Sequence, residues 1–333
     1  MSNRAMSEKV RDEEKKVLSA VEAAGSALLF CHISPDGDTL GSALALKCRL
    51  ERMSKAVRLM LDGDVPPRLA FLPGASGVER PGGGVWAAEL AVAVDVSCRE
   101  RLGACEPYFA SAKQTAVVDH HGTNDGFGAL NLIDGSAPAT AVLVFRLFAK
   151  MGLALSREEA VCLYAALSTD TGNFVYDSTN AESFVIMSAL MEAGLPLADC
   201  GRRLFRVKEL PFVRLLGLVL PSLRLTQGNR VAGLRLSQAQ MKEAGALAAH
   251  AEGLVDYAID LEGVKLAYFA REMEDGRTKV SLRSLEPYHV DAVAARFGGG
   301  GHRLASGLTV DMPLEDAALA VEEALAQACE GAL

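Results

Sequence analysis

Apolar residues fall into two rhythms over the first two-thirds of the chain. Short runs that are apolar on both faces, SALLFCHIS (26–34), AVRLML (56–61), AELAVAVDVS (88–97) and QTAVVDHH (114–121), read as β-strands, whereas DTLGSALALKCRLERM (38–53) carries its apolar positions at helical spacing. Strands buried on both faces and separated by helices imply a parallel sheet covered on both sides, an α/β fold. Three more helices are expected at 137–152, 156–170 and 181–194, the second with Ser156 as N-cap and Glu159 completing a capping box.

From Leu195 to about Leu225 the pattern changes, with Pro196, Pro211 and Pro221 interrupting basic, amphipathic segments; this reads as a linker with one or two helices. The last third predicts a strand at 230–236, helices around 238–245 and 250–261, and a hairpin folded about Glu274 to Gly276. A short helix (291–297), the run GGGGH, a strand (307–310) and a C-terminal helix (314–329) complete it. The expected organisation is an α/β domain over 1–194, linker helices over 195–225 and a smaller α/β domain over 226–333.

Composition narrows the classes. With 333 residues, half of them apolar, the chain can bury a substantial core. Its seven cysteines are odd in number and scattered without a CxxC pair, which speaks against a disulfide framework and a thiolate metal site and for a reducing cytoplasm. The charged N-terminal segment is no signal peptide, and no apolar run has the length of a membrane span. A net charge of −8 disfavours coating long duplex nucleic acid, but leaves room for a short anionic substrate in a local basic pocket.

The chemistry begins at HISPDGDTLGS (32–42), where His32, Asp36 and Asp38 lie just beyond the C-terminal end of the first strand. Open parallel sheets place ligands at that edge. Taken alone, Asp36-Gly37-Asp38 is an ordinary turn with Asp38 as a helix N-cap. The pattern recurs, however: the third strand ends in Asp95, the fourth in Asp119-His120-His121, and Asp170 closes a helix at its C-terminus, where a negative charge is unfavourable. Five aspartates and three histidines converging without a cation would repel strongly. Histidine and carboxylate without thiolate suit manganese, cobalt or magnesium, with zinc also allowed, and shared carboxylates suit a two-metal site. Adjacent histidines on a strand point to opposite faces, so His120 and His121 do not share one structural role.

In order and type, His32/Asp36/Asp38, Asp95, Asp119-His120-His121 and Asp170 resemble the four motifs of the DHH phosphoesterase superfamily, and GGGGHRLASG (298–307) resembles the signature of the DHH-associated C-terminal domain. The chain is similar to the short nanoRNase and pAp-phosphatase group. That resemblance implies a catalytic DHH domain and a substrate-binding domain with the active-site cleft between them. It implies two divalent cations, manganese first, with His32, Asp36 and Asp95 holding one and Asp38, Asp95, His120 and Asp170 the other, Asp95 bridging. Asp95, Asp119 and His121 become the catalytic set: His121 meets the substrate phosphate or leaving oxygen, and Asp119 orients an imidazole. Arg283, Ser284, Gly299, Gly300, Gly301 and His302 become the substrate-binding set.

The implied activity is hydrolysis of short oligonucleotides and of 3′-phosphoadenosine 5′-phosphate (pAp) by a metal-activated water. Its rivals are a phosphodiesterase for cyclic dinucleotides or linear di-adenylate and, from another class, a catalytically silent nucleotide-binding regulator. A homodimer is allowed. The basic cluster Arg202, Arg203, Arg206 and Lys208 is read as a solvated face.

Overall fold

The computed structural model describes residues 7–82 and 86–331, so the outer bounds of the two expected domains, 1 and 333, lie outside the described residues. Two compact units part between Val207 and Lys208. Among the described residues no helix is long and apolar enough to cross a membrane.

In the first unit the chain runs α1 (Glu8–Ala23), β1 (Ser26–Phe30), α2 (Gly37–Arg52), β2 (Ala56–Met60), β3 (Leu90–Val94), α3 (Glu106–Ala110), β4 (Gln114–Asp119), β5 (Leu130–Ile133), α4 (Thr140–Lys150), α5 (Arg157–Asp170), α6 (Ala181–Glu192) and α7 (Leu197–Gly201). The sheet is wholly parallel in the order β2-β1-β3-β4-β5. Alternate residues of β1 and β3 feed opposite faces: Leu29, Leu90 and Val92 enter one core cluster, and Leu28, Phe30, Ala91 and Ala93 enter the other. The period of two thus fills two cores from one strand, which is why these strands read as unbroken apolar runs. After β2 the chain returns to place β3 on the other side of β1, so the strand order reverses there and opens a crevice at the C-terminal ends of β1 and β3.

Two expected elements are displaced by their caps. The helix expected from 38 begins at Gly37, with Asp36 rather than Asp38 as N-cap. The helix expected from 137 begins at Thr140, because Ala139 is extended. The capping box of Ser156 and Glu159 is present on α5. Glu159 also meets Arg49 of α2 in a two-pronged, fully buried ion pair at 2.9 Å on each prong. Beside it Gly41 lets α2 and α5 touch: a Cβ there would lie 2.5 Å from the Cys162 carbonyl oxygen. This close pair brings the start of α2 to the end of α5.

The basic segment 195–225 is divided between the units. Leu197–Gly201 and the π-turn Arg202–Arg206 belong to the first. Within that turn Arg203 is paired with Asp199 at 2.9 Å and lies over the Phe71 ring. The second unit runs α8 (Leu210–Val219), β6 (Arg224–Thr226), β7 (Val231–Leu236), α9 (Gln238–Ala244), α10 (Asp256–Ile259), β8 (Leu266–Glu272), β9 (Thr278–Ser284), α11 (Asp291–Arg296), β10 (Gly300–His302), β11 (Ala305–Val310) and α12 (Leu314–Cys329). Its sheet has the order β10-β11-β9-β8-β7-β6, with β7 and β8 parallel and the other pairs antiparallel. The hairpin β8–β9 folds about 274–276 as expected, but the helix expected over 250–261 is only a 3₁₀ turn at Ala248–Ala251 followed by the short α10. The glycine run is not a loop throughout, since its last two glycines and His302 form the edge strand β10.

Candidate metal centre

Each chemical side chain comes from the end of an element. His32 follows β1 and is 2 % exposed; its Nδ1 lies 2.8 Å from the Ile33 carbonyl oxygen. With Nδ1 at that carbonyl, Nε2 is the ring nitrogen turned toward the carboxylates. Nε2 lies 3.7 Å from Asp36 Oδ2 and 3.7 Å from Asp95 Oδ2. Asp36 divides its carboxylate: Oδ1 accepts from the backbone N–H of Asp38 and Thr39 at 3.0 and 3.1 Å, closing the N-terminus of α2, and Oδ2 faces His32.

Asp38 is fully buried and caps another helix. Its carboxylate accepts from the N–H of Thr140 at 2.6 Å and of Ala141 at 3.1 Å, and from the Ser42 hydroxyl at 2.9 Å. Ala139, the N-cap position of α4, has no side-chain acceptor, so Asp38 serves the exposed N–H groups there and meets the positive end of the helix.

Asp95 leaves β3 in the left-handed region, φ 59°, a conformation that costs an L-residue roughly 1–2 kcal/mol. Its N–H donates to the Val118 carbonyl at 2.9 Å, and its Oδ1 accepts from the Thr140 hydroxyl at 2.8 Å. One carboxylate oxygen faces each of two histidines: Oδ2 toward His32, and Oδ1 toward His120 Nε2 at 3.6 Å. His120 Nδ1 lies 3.2 Å from the Ala137 carbonyl, and its Nε2 is 3.0 Å from Asp170 Oδ2 and 3.9 Å from Asp38 Oδ2. His121 is held differently: Nδ1 meets Asp119 Oδ1 at 2.8 Å and Asp95 Oδ1 at 3.6 Å, while Asn124 donates to Asp119 Oδ2 at 2.7 Å.

The ligand atoms form three groups: His32, Asp36 and Asp95; Asp38, His120 and Asp170; and Asp95, His120 and His121. Within each group they lie within 4.8 Å of one another. Asp95 is common to the first and third groups and His120 to the second and third, and these adjoining sets of oxygen and imidazole donors fit a pair of divalent cations. The electrostatics agree. Burial, and then the charge of Asp170, push the Asp38 carboxyl well above the usual range; burial, and then Asp38, do the same to Asp95. Burial acts upward on Asp36 as well, but the His32 imidazole and the capped N–H groups outweigh it and hold that carboxyl low. Burial would lower the His120 imidazole, yet the hydrogen bond with Asp170 and the charges of Asp38 and Asp170 raise it to about 9. Negative charge in excess of its partners is what divalent cations offset.

Residues that sequence reasoning passed over complete the centre. Thr140 orients Asp95, Ser42 holds Asp38, Asn124 holds Asp119, and Arg101 Nη2 stands 2.9 Å from His32 Nδ1. None carries a signal beyond a polar side chain near a motif.

The expected substrate residues all lie in the second unit. Arg283, Ala305 and His302 occupy one row across β9, β11 and β10, so their side chains share a face. Arg283 Nε is 3.3 Å from Asp256 Oδ1, and His302 is exposed. Gly299 sits so close to β11 that a Cβ would lie 2.3 Å from the Gly307 carbonyl oxygen, and Gly300 and Gly301 run along the exposed edge. Ser284 is 4 % exposed and donates its hydroxyl to the Tyr288 carbonyl at 2.8 Å, so it fixes the turn beside Arg283.

Known proteins align with this layout. The model of the DHH family, N-terminal domain matches residues 26–167, and the DHHA1 domain matches residues 230–330. The bifunctional oligoribonuclease and PAP phosphatase NrnA of Thermus thermophilus is 33% identical over 94% of this chain and 94% of its own length; the protein of the same name from Bacillus subtilis is 24% identical over 89% and 92%. The crystal structure of an exopolyphosphatase-related protein from Bacteroides fragilis superposes with a TM-score of 0.89 at 26% identity, covering 97% of each chain. Matched in both halves and over nearly its full length, the chain belongs to the DHH family of phosphoesterases, with an N-terminal DHH domain followed by a DHHA1 domain.

Proposed function

We propose that the protein is a manganese-dependent phosphohydrolase that cleaves short oligonucleotides and removes phosphate from pAp. The observation that carries this reading is Asp95, whose two oxygens face His32 and His120 separately, as a carboxylate shared by two cations must. The activities named for the Thermus relative supply the substrate class. Imidazole and carboxylate donors without thiolate suit manganese, with magnesium or cobalt as substitutes.

His32, Asp36 and Asp95 hold one cation, and Asp38, Asp95, His120 and Asp170 the other. Bound there, the pair supplies Lewis acidity to a water and to the phosphoryl oxygens. The rest falls to the chain. Thr140 fixes the rotation of the Asp95 carboxylate, and the carbonyls of Ile33 and Ala137 hold the rings of His32 and His120 with Nε2 toward the carboxylates. Asp119, itself held by Asn124, keeps Nδ1 of His121 engaged, so Nε2 is the nitrogen left for a substrate oxygen. In the second unit, Arg283, His302 and the backbone of Gly299, Gly300 and Gly301 grip nucleotide phosphate, with Ser284 supporting Arg283.

Purified protein is to be incubated, with manganese or with chelator, with a dinucleotide, pAp, cyclic di-adenylate, linear di-adenylate and pyrophosphate. Metal-dependent turnover of the dinucleotide and pAp is expected. Turnover confined to the cyclic compound transfers the assignment to a cyclic-dinucleotide phosphodiesterase, and binding without turnover of any compound identifies a silent regulator.

A further inference from the structure

Beyond Asp170 the chain makes an unusual turn. Gly172, Asn173 and Phe174 are all left-handed, with φ of 56°, 57° and 69°. Asparagine visits this region readily, but for Phe174 it costs roughly 1–2 kcal/mol. Backbone hydrogen bonds hold the turn: Asn173 N–H donates to the Ser168 carbonyl at 2.6 Å, and the N–H groups of Val175 and Tyr176 both donate to the Thr171 carbonyl at 3.0 Å. Phe174 packs against the core, while Tyr176 is turned outward and is 60 % exposed.

The ring is not adrift. A Cβ on Gly172 would lie 2.4 Å from Cε1 and Cζ of Tyr176, so the ring rests against the bare backbone of Gly172, two residues past Asp170. Asp170 Oδ2 is itself 3.0 Å from His120 Nε2. Among the described residues the Tyr176 hydroxyl has no hydrogen-bond partner and the ring no aromatic neighbour. A large aromatic side chain is thus backed on one side by Gly172 and exposed on the other, on the turn that follows Asp170.

We infer that Tyr176 is a stacking platform for the base of the nucleotide whose phosphate lies at the metal centre, and hence a determinant of specificity for nucleotides over other phosphate esters. This rests on the proposed reading of the substrate as a nucleotide phosphate. Base–aromatic stacking is sequence-tolerant, because every base has a π-face, so the platform recognises bases as a class without choosing among them.

The test compares wild type, Tyr176→Ala and Tyr176→Phe, with manganese, on a diribonucleotide and on its analogue in which an abasic riboside replaces the terminal nucleoside. A second readout is the fluorescence of a non-hydrolysable 2-aminopurine dinucleotide, which stacking quenches. In Tyr176→Ala the KM for the diribonucleotide is expected to rise about tenfold with kcat nearly unchanged. The abasic analogue is expected to be unaffected and the quenching lost; Tyr176→Phe retains wild-type values. An unchanged KM, or an equal loss on both substrates, overturns the platform. Equal loss accompanied by a change in molecular mass on size exclusion assigns the ring to a protein interface instead. Wild type that cleaves no dinucleotide defeats the substrate reading first and the platform with it, whereas active wild type beside an unaffected Tyr176→Ala defeats the platform alone.

Discussion

Asp36 performs two tasks on separate oxygens, and two substitutions separate them. Oδ1 accepts from the N–H groups of Asp38 and Thr39 at 3.0 and 3.1 Å, while Oδ2 faces His32. Asp36→Asn keeps a carbonyl oxygen at the cap and discards the charge; Asp36→Ala discards both. Either change relieves the repulsion that Asp36 exerts on Asp38 and Asp95, so the difference between the two variants isolates the cap. Loss of an N-cap acceptor costs about 1 kcal/mol. For a domain of this size that is about 2–4 °C in melting temperature. In chelator, followed by calorimetry, Asp36→Ala is therefore expected to melt about 2–4 °C below Asp36→Asn. With manganese restored, wild type gains stability by mass action, both variants gain less, and turnover falls about 100-fold or more in each. Equal melting temperatures in chelator would remove the cap from Asp36. Wild-type turnover in Asp36→Asn would remove it from the metal centre.

Asp95→Asn retains an acceptor for the Thr140 hydroxyl, so the fold is expected to survive, as read by circular dichroism, while dinucleotide turnover is abolished. Gly41→Ala drives a methyl group to 2.5 Å from the Cys162 carbonyl oxygen and 3.0 Å from the Ala166 nitrogen, which cannot yield as a flexible side chain would. A loss of about 1–3 kcal/mol is expected in urea unfolding, together with weaker manganese binding by titration calorimetry, because α2 with its cap and α5 carry the proposed ligands Asp36, Asp38 and Asp170. Asp134 sits 2.8 Å from Arg146; burial acts to raise its carboxyl, but Ser136 and Arg146 outweigh burial and hold it below the ordinary range. The folded value lies below the unfolded one, near ~3.9, so the stabilisation is complete above about pH 4 and fades as pH falls through the folded value. Asp134→Asn is expected to melt below wild type at pH 7, with the gap narrowing below about pH 4.

The fold was legible where burial is complete and obscure where it is partial. β1 and β3 supply residues to cores on both faces, and their sequences are correspondingly unbroken in apolar character. β5, four residues at the sheet edge with mixed exposure, offers neither an apolar run nor strict alternation. α1 escaped for a related reason: of its sixteen residues only Glu14, Val17 and Val21 are buried, so its apolar stripe is too narrow to stand out from the charges around it. The helix expected over 250–261 failed in the opposite direction. Its apolar residues Ala251, Leu254, Val255 and Ala258 are buried, but in a core that a 3₁₀ turn and one short helix fill as well as a continuous helix would.

The centre divides along a different line. His32, Asp36, Asp95, His120 and Asp170 are recognisable because the chemistry demands those side chains at strand and helix ends, and the chain must spell them there. Thr140, Ser42 and Asn124 are interchangeable in composition with dozens of other polar residues; only their distances to Asp95, Asp38 and Asp119 mark them. Asp38 belongs to both groups. Local spacing assigns it to the cap of its own helix, but that place is held by Asp36, and Asp38 instead accepts from the start of a helix 102 residues further along the chain. No short-range rule encodes a bond of that separation. The same carboxylate that completes a ligand group therefore also anchors α4 to α2, and α4 in turn carries the Thr140 that orients Asp95. The candidate metal centre is assembled by the bonds that assemble the domain, and for that reason its supporting residues become visible only once the chain has folded.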